Sequence, residues 1–251
     1  MLRCLIILFV IVPFLVPGAQ AGASPVDEAP ALRIARVIDV TDGSTIYAQP
    51  IWSPDGKKLA FSRNPQFGGL YIRNADGSGP IQEITSEDID SYHSWWERPS
   101  PHDVRLERDF RNRRMWIVEG DGERQSEFPY EIRLASLSPT GDLVAFMRSD
   151  GNLCISRLDG SSLKSFGYGL NWDWTLDGSR LVYMSDIRDG EWTMIAADLF
   201  VADVETGEVT QLTDTPDIVE MYPRWSPDGT RIAYSTHRAG KICVAFLEST
   251  K

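Results

Sequence analysis

The chain has 251 residues, 42% of them apolar and 24% charged, with a formal net charge of −11. That length admits one large all-β domain or two small ones, and the acidic balance disfavours nucleic acid and anionic lipid as partners. The three histidines, His93, His102 and His237, and the three cysteines show neither His-x-x-x-His nor Cys-x-x-Cys spacing, so no dedicated metal site is expected.

In chain order, Arg3 precedes an apolar run from Leu5 to Val16, followed by the small residues of Ala19-Gln20-Ala21. This is the pattern of a signal peptide over residues 1–21, and the Gly/Ala/Ser/Pro stretch over 22–31 reads as a flexible leader. The expected mature protein is periplasmic or secreted, with no stable membrane insertion once the signal peptide is cleaved. Cys154 and Cys243 remain after cleavage, in Leu153-Cys154-Ile155 and Ile242-Cys243-Val244. These look like one position in two copies of a repeat, so two free, mostly buried thiols are expected.

From residue 32 the chain repeats itself. Trp52-Ser53-Pro54-Asp55-Gly56 returns as Trp225-Ser226-Pro227-Asp228-Gly229, and in looser form as Ser138-Pro139-Thr140-Gly141 and Thr175-Leu176-Asp177-Gly178. Ser, Pro and Gly suit the first, second and fourth places of a type I turn. Each turn leads into an alternating run, such as Leu59-Ala60-Phe61 or Ile232-Ala233-Tyr234, that suits a strand with one face in a core. A second turn marker follows, as in Asn74-Ala75-Asp76-Gly77 and Arg157-Leu158-Asp159-Gly160, so each unit holds two hairpins and four short strands.

Gly56 and Gly141 lie 85 residues apart, about two periods of a four-stranded repeat. A degenerate unit is therefore expected between them. Tyr92-His93-Ser94-Trp95-Trp96 takes the place of its first strand, and the Arg-rich stretch Pro101 to Arg114 replaces its turn. The last unit ends without a fourth strand, and Val37-Ile38-Asp39-Val40-Thr41 resembles the fourth strand of other units. The prediction is an all-β domain over residues 32–251, a β-propeller of five four-stranded blades closed by the N-terminal strand. Six blades or an open arc are the alternatives.

These motifs resemble the WD-like β-propeller repeat in its Pro-Asp form, found in TolB-like propellers and in those of prolyl-oligopeptidase-type peptidases. The resemblance implies that the first strand of each blade lines a central channel and that the loops entering it form a binding face. The ligand-binding residues so implied are Tyr47, Gln49, Tyr92, His93, Trp95, Arg133, Asn171, Asp173, Tyr222 and Arg224. Tyr130, Tyr168 and Glu220 fall on the same face with no assigned role. Trp52, Trp174 and Trp225, at matching repeat positions, are expected to pack between blades, and Ser185 to Asp198 is expected to be the longest inserted loop.

No Gly-x-Ser-x-Gly nucleophile elbow and no Gly-rich phosphate loop is present. The expectation is accordingly no catalytic residue, no cofactor and no metal. The expected function is a non-catalytic module of the cell envelope that binds a protein or peptide segment. The alternative is a metal-assisted, carbohydrate-active, lyase-like propeller enzyme, with His93 and His237 reaching the channel mouth.

Overall fold

A computed structural model describes residues 32–63, 68–85, 104–109, 114–120, 124–188, 194–237 and 239–249. Among them all regular structure is β-strand, arranged in five antiparallel sheets. Strand β1 (Leu32–Asp39) comes first. Sheet I then holds β2 (Tyr47–Trp52), β3 (Lys58–Arg63), β4 (Leu70–Asn74) and β5 (Gln82–Ile84). Sheet II has three described strands, β6 (Val104–Asp109), β7 (Arg114–Glu119) and β8 (Arg124–Glu127). Sheet III is β9 (Ile132–Leu137), β10 (Leu143–Arg148), β11 (Asn152–Arg157) and β12 (Lys164–Tyr168). Sheet IV is β13 (Leu170–Trp174), β14 (Arg180–Arg188), β15 (Met194–Asp203) and β16 (Val209–Gln211). Sheet V joins β17 (Glu220–Trp225), β18 (Arg231–Thr236) and β19 (Ile242–Ser249) to β1.

The repeated turn works because its side chains replace what a tight turn cannot supply from its own backbone. In Ser226-Pro227-Asp228-Gly229 the Gly229 N–H donates to the Ser226 carbonyl at 2.9 Å, and Gly229 adopts φ 67°. The Ser226 hydroxyl is buried, donates to Asp228 Oδ1 at 2.6 Å and accepts the Arg231 N–H at 2.9 Å. Ser53 makes the same set with Asp55 and Lys58, and Thr175 with Asp177 and Arg180. One hydroxyl thus closes the hairpin from inside, which explains why only Ser or Thr fills this place in all four turns.

The first and last described strands meet in sheet V. Strand β1 pairs antiparallel with β19, with Val37 opposite Ala245, Ile38 opposite Val244 and Asp39 opposite Cys243. The Val40 N–H then donates to the Ile242 carbonyl at 2.7 Å. This is the pairing expected of Val37 to Thr41, and it covers the edge that β19 would otherwise expose. Arg36 lies over the Phe246 ring at 3.9 Å.

The core lies between sheets. Met115 and Ile117 of sheet II pack with Ile132 and Phe146 of sheet III. Leu153 and Ile155 of sheet III pack with Trp174 and Leu181 of sheet IV. Met184 and Leu199 of sheet IV pack with Trp225 and Ile232 of sheet V, while Val244 of sheet V packs with Trp52 and Phe61 of sheet I. Trp52, Trp174 and Trp225 are each 5% exposed or less, so all three are packing residues. Cys154 and Cys243 are free and buried, and burial pushes the Cys243 thiol up to about 12. Described contacts therefore join the sheets in the order II, III, IV, V, I.

Two stretches differ from expectation. Pro101 to Arg114 was expected in place of a turn, yet Val104–Asp109 is a strand paired with β7, from Val104 opposite Glu119 to Asp109 opposite Arg114. Its Val104 and Leu106 pack on the sheet II–III core. Ser185 to Asp198 was expected to be an inserted loop. Instead β14 and β15 run on as one long hairpin, with Ser185 opposite Asp198 and Ile187 opposite Ala196. Burial on one face of these strands outweighs the charged residues that mask the alternation.

Candidate functional site

The inner strands β2, β9, β13 and β17 each end at the residue before a repeated turn, so positions can be compared by counting back from Trp52, Leu137, Trp174 and Trp225. The position immediately before holds Ile51, Ser136, Asp173 and Arg224. Three of these join neighbouring sheets. The Trp174 indole N–H donates to Ser136 Oγ at 3.1 Å, the Trp225 backbone N–H to Asp173 Oδ2 at 2.8 Å, and the Trp52 indole N–H to the Arg224 carbonyl at 3.0 Å. Strands β13, β17 and β2 thereby lie side by side in that order.

Three positions before the same landmark stand Gln49, Asn171 and Tyr222. All three hold left-handed backbone, with φ of 56°, 49° and 55°. Each sits where its strand slips register against its neighbour, between Ala48 and Ile51, Leu170 and Asp173, and Met221 and Arg224. For residues with a Cβ this conformation costs about 1–2 kcal/mol, and such strain concentrates where a protein binds or reacts. In β9 the equivalent residue is Leu134, which is exposed and keeps a negative φ, although the strand also slips register between Arg133 and its neighbours. A bulge of this kind turns a side chain off the regular pleat.

Four of the ten residues implied by the repeat are exposed or half-buried on this bulged segment: Gln49, Asn171, Tyr222 and Arg133. Arg224 is half-exposed and pairs with Asp173 at 3.5 Å. Asp173 is buried, and its hydrogen bond to β17 gives it a part in joining sheets IV and V. Tyr47 is 8% exposed, with its ring edge-on to Phe61 at 5.0 Å and to Tyr71 at 5.4 Å, which places it in the core of sheet I. Tyr92, His93 and Trp95 lie outside the described residues.

Five positions before the landmark stand Tyr47, Ile132, Gly169 and Glu220, all buried. A carboxyl group here departs from the repeat. Burial pushes the Glu220 carboxyl up to about 7, with Asp198 adding to the effect. The Thr213 hydroxyl donates to Glu220 Oε2 and itself accepts the Leu199 N–H at 2.8 Å. Asp198 accepts the Thr215 N–H at 3.0 Å and faces Gln211 Nε2 at 3.4 Å. Asp198, Thr213 and Thr215 were not singled out from the sequence. The signal available was Glu220 itself, a charged residue at a place that is otherwise Tyr, Ile or Gly.

No family model matches the chain. Its fold resembles that of an oligogalacturonate lyase from Vibrio parahaemolyticus, with a TM-score of 0.57 and 13% identity over 84% of this chain and 93% of that one. This likeness establishes a propeller-like all-β fold. A likeness to the tricorn protease, at a TM-score of 0.39 over 73% of this chain and 23% of that one, carries no argument. A segment of 59 residues is 44% identical to the uncharacterized peptidase YuxL of Bacillus subtilis. The match takes in 24% of this chain and only 8% of that curated relative's length. The lyase and the peptidase are both named as enzymes, which corrects the expectation that this chain is not one.

Proposed function

We propose that the chain is a carbohydrate-active, lyase-like enzyme built on a five-bladed propeller, with sheets I to V as its blades and β1 closing the ring. The substrate class is an oligosaccharide of acidic sugars, taken at the bulged ends of the inner strands. The observation that carries this reading is the set of left-handed residues Gln49, Asn171 and Tyr222 at one position of three inner strands, close in sequence to Arg224. An amide pair and a phenol suit sugar hydroxyls as donors and acceptors. Exposed Arg133 and half-exposed Arg224 suit sugar carboxylates, which guanidinium groups meet with two parallel hydrogen bonds. The full-length likeness to a lyase of oligogalacturonate agrees with that chemistry.

A lyase passes the proton of the carbon beside the sugar carboxylate to a base and expels the glycosidic oxygen, which takes up a proton, leaving a carbon–carbon double bond. Pairing that carboxylate with a cation makes the proton easier to remove. The described residues do not fit a metal in this role, because no three His, Cys, Asp or Glu side chains among them are grouped to hold one. His237 is exposed on the turn after β18, and His93 lies outside the described residues.

Purified chain incubated with oligogalacturonate should form the unsaturated uronate, read by its ultraviolet absorbance. Arg224→Ala should lower kcat/KM by about a hundredfold, in line with about 2–3 kcal/mol for a charge-assisted hydrogen bond. Arg224→Lys should recover only part of it, because an ammonium lacks the planar fork. Wild-type protein that leaves the sugar intact overturns the reading.

A further inference from the structure

Arg224 is held through its backbone by both neighbouring sheets. The peptide group that joins Arg224 to Trp225 offers its carbonyl to the Trp52 indole N–H of sheet I at 3.0 Å. The N–H of that same group donates to Asp173 Oδ2 of sheet IV at 2.8 Å. One peptide plane is thus gripped from two sides. The second oxygen of Asp173, Oδ1, faces Arg224 Nη1 at 3.5 Å. A carboxylate tied by one oxygen to the backbone of β17 cannot swing away from the guanidinium without giving up that bond. Of the four residues at this place in the inner strands, Ile51, Ser136, Asp173 and Arg224, only the last two are charged, and they pair with each other.

We propose that Asp173 is the positioning residue for Arg224: from sheet IV it holds the guanidinium of β17 in one orientation, ready for a sugar carboxylate. The use of Arg224 on a sugar rests on the carbohydrate-active reading above, whereas the pairing stands on the contacts alone. The Asp173 side chain is 9% exposed and that of Arg224 39%, so the carboxylate is the buried anchor and the guanidinium the exposed tip. Asp173 therefore acts through Arg224 and not by touching substrate. The contact at Nη1 does not use the edge formed by Nε and Nη2. That edge is one with which a guanidinium meets a carboxylate through two parallel hydrogen bonds.

Two opposing effects follow from this placement. A free arginine side chain has many rotamers to give up on binding, and orienting it beforehand removes that cost. The same carboxylate sets a negative charge near an anionic sugar, which weakens binding of the ground state. Orientation toward the reacting carboxylate is felt in kcat, whereas the charge of Asp173 is felt in KM. A residue that merely joined sheets IV and V would produce no such split.

Asp173→Asn keeps an oxygen to accept the Trp225 N–H and removes the charge, so it separates the pairing from the joint between sheets. In the full chain, Asp173→Asn should lower kcat on oligogalacturonate by about tenfold, with KM unchanged or lower. In an Arg224→Ala background the same change should cost nothing more, because the residue it acts through is gone. A kcat equal to wild type, or the same fold loss in both backgrounds, overturns the proposal. NMR of the arginine side chains, assigned with Arg224→Lys, reads the pairing without any sugar. Rotation of the Arg224 guanidinium about its Cζ–Nε bond should be about fivefold slower in wild type than in Asp173→Asn, the size of a partly exposed ion pair. Equal rates overturn the proposal. So does a wild-type rate equal to that of free arginine, a measurement that decides the matter even if Asp173→Asn fails to fold. If no variant cleaves the sugar, the enzymatic reading fails while the rotation rates still decide the pairing.

Discussion

The two ends of the same inner strands are built to opposite rules. At the turn end, β2, β13 and β17 run into hairpins in which one buried hydroxyl and one aspartate answer the local backbone, and a glycine takes the left-handed position. At the bulged end the left-handed positions belong to Gln49, Asn171 and Tyr222, and a carboxyl group is buried at Glu220. The turn end is repeated almost unchanged from sheet to sheet. The bulged end keeps its register slip in sheets I, III, IV and V but changes its side chains from one to the next. Repetition marks what the fold needs, and the side chains that vary at the bulge are the ones the proposed function draws on.

The contrast can be broken most severely at its shared anchor. Trp225 is 1% exposed between sheets IV and V, so Trp225→Ala should cost about 3–5 kcal/mol in denaturant unfolding. A loss below about 1 kcal/mol would mean that the sheets do not depend on this packing.

Next comes the clasp at the turn. Ser226→Ala removes the acceptor of the Arg231 N–H and should cost about 1–2 kcal/mol. Ser53→Ala should cost nearly the same, because it makes the same contacts. Unequal losses would show that the turns are alike in geometry but not in energy.

The sharpest comparison is between two left-handed residues. Gly229 has φ 67° and open space where a Cβ would go, so Gly229→Ala should lose about 1 kcal/mol from backbone strain alone. Tyr222→Gly should leave stability within about 1 kcal/mol of wild type, since relief of strain offsets the entropy of a new glycine. It should at the same time lower kcat/KM on oligogalacturonate. A stability loss well beyond that, with activity intact, would make Tyr222 a structural residue.

The smallest effect is electrostatic. Against the opposing effect of burial, hydrogen bonds from Ser226 and Thr230 hold the Asp228 carboxyl at about 2, below its ordinary value of 3.8. A lowered value adds stability above about pH 3.8 that is lost as pH falls through about 2. Asp228→Asn should flatten the acid-unfolding curve in that window by less than about 1 kcal/mol, because the side chain is half exposed to screening solvent.

Much of the fold was legible. The turns are local, and Ser-Pro-Asp-Gly specifies its hairpin through atoms within five residues of one another. The pairing of Val37 to Asp39 with β19 was legible because a strand without a partner in the last unit matches an unpaired strand at the start. The strand Val104–Asp109 was harder to see, since its apolar alternation is only Val104 and Leu106 and the charged run Glu107-Arg108-Asp109 ends it. Of the site, the residue types at the bulges were legible from the repeat, but Tyr47 and Asp173 occupy the same stretch and are buried in packing and inter-sheet bonding. A count along a strand places a residue near a face, and only its neighbours decide which way it points.

By itself, then, the sequence determined the hairpins, the repeat and the pairing of β1 with β19, because each depends on short-range backbone preference or on a pattern copied from unit to unit. Tertiary structure alone decided that Gln49, Asn171 and Tyr222 take left-handed backbone and that Glu220 is buried against Thr213 near Asp198. Those outcomes depend on which sheet lies beside which, and neighbours brought together by packing leave no signature in the order of residues along the chain.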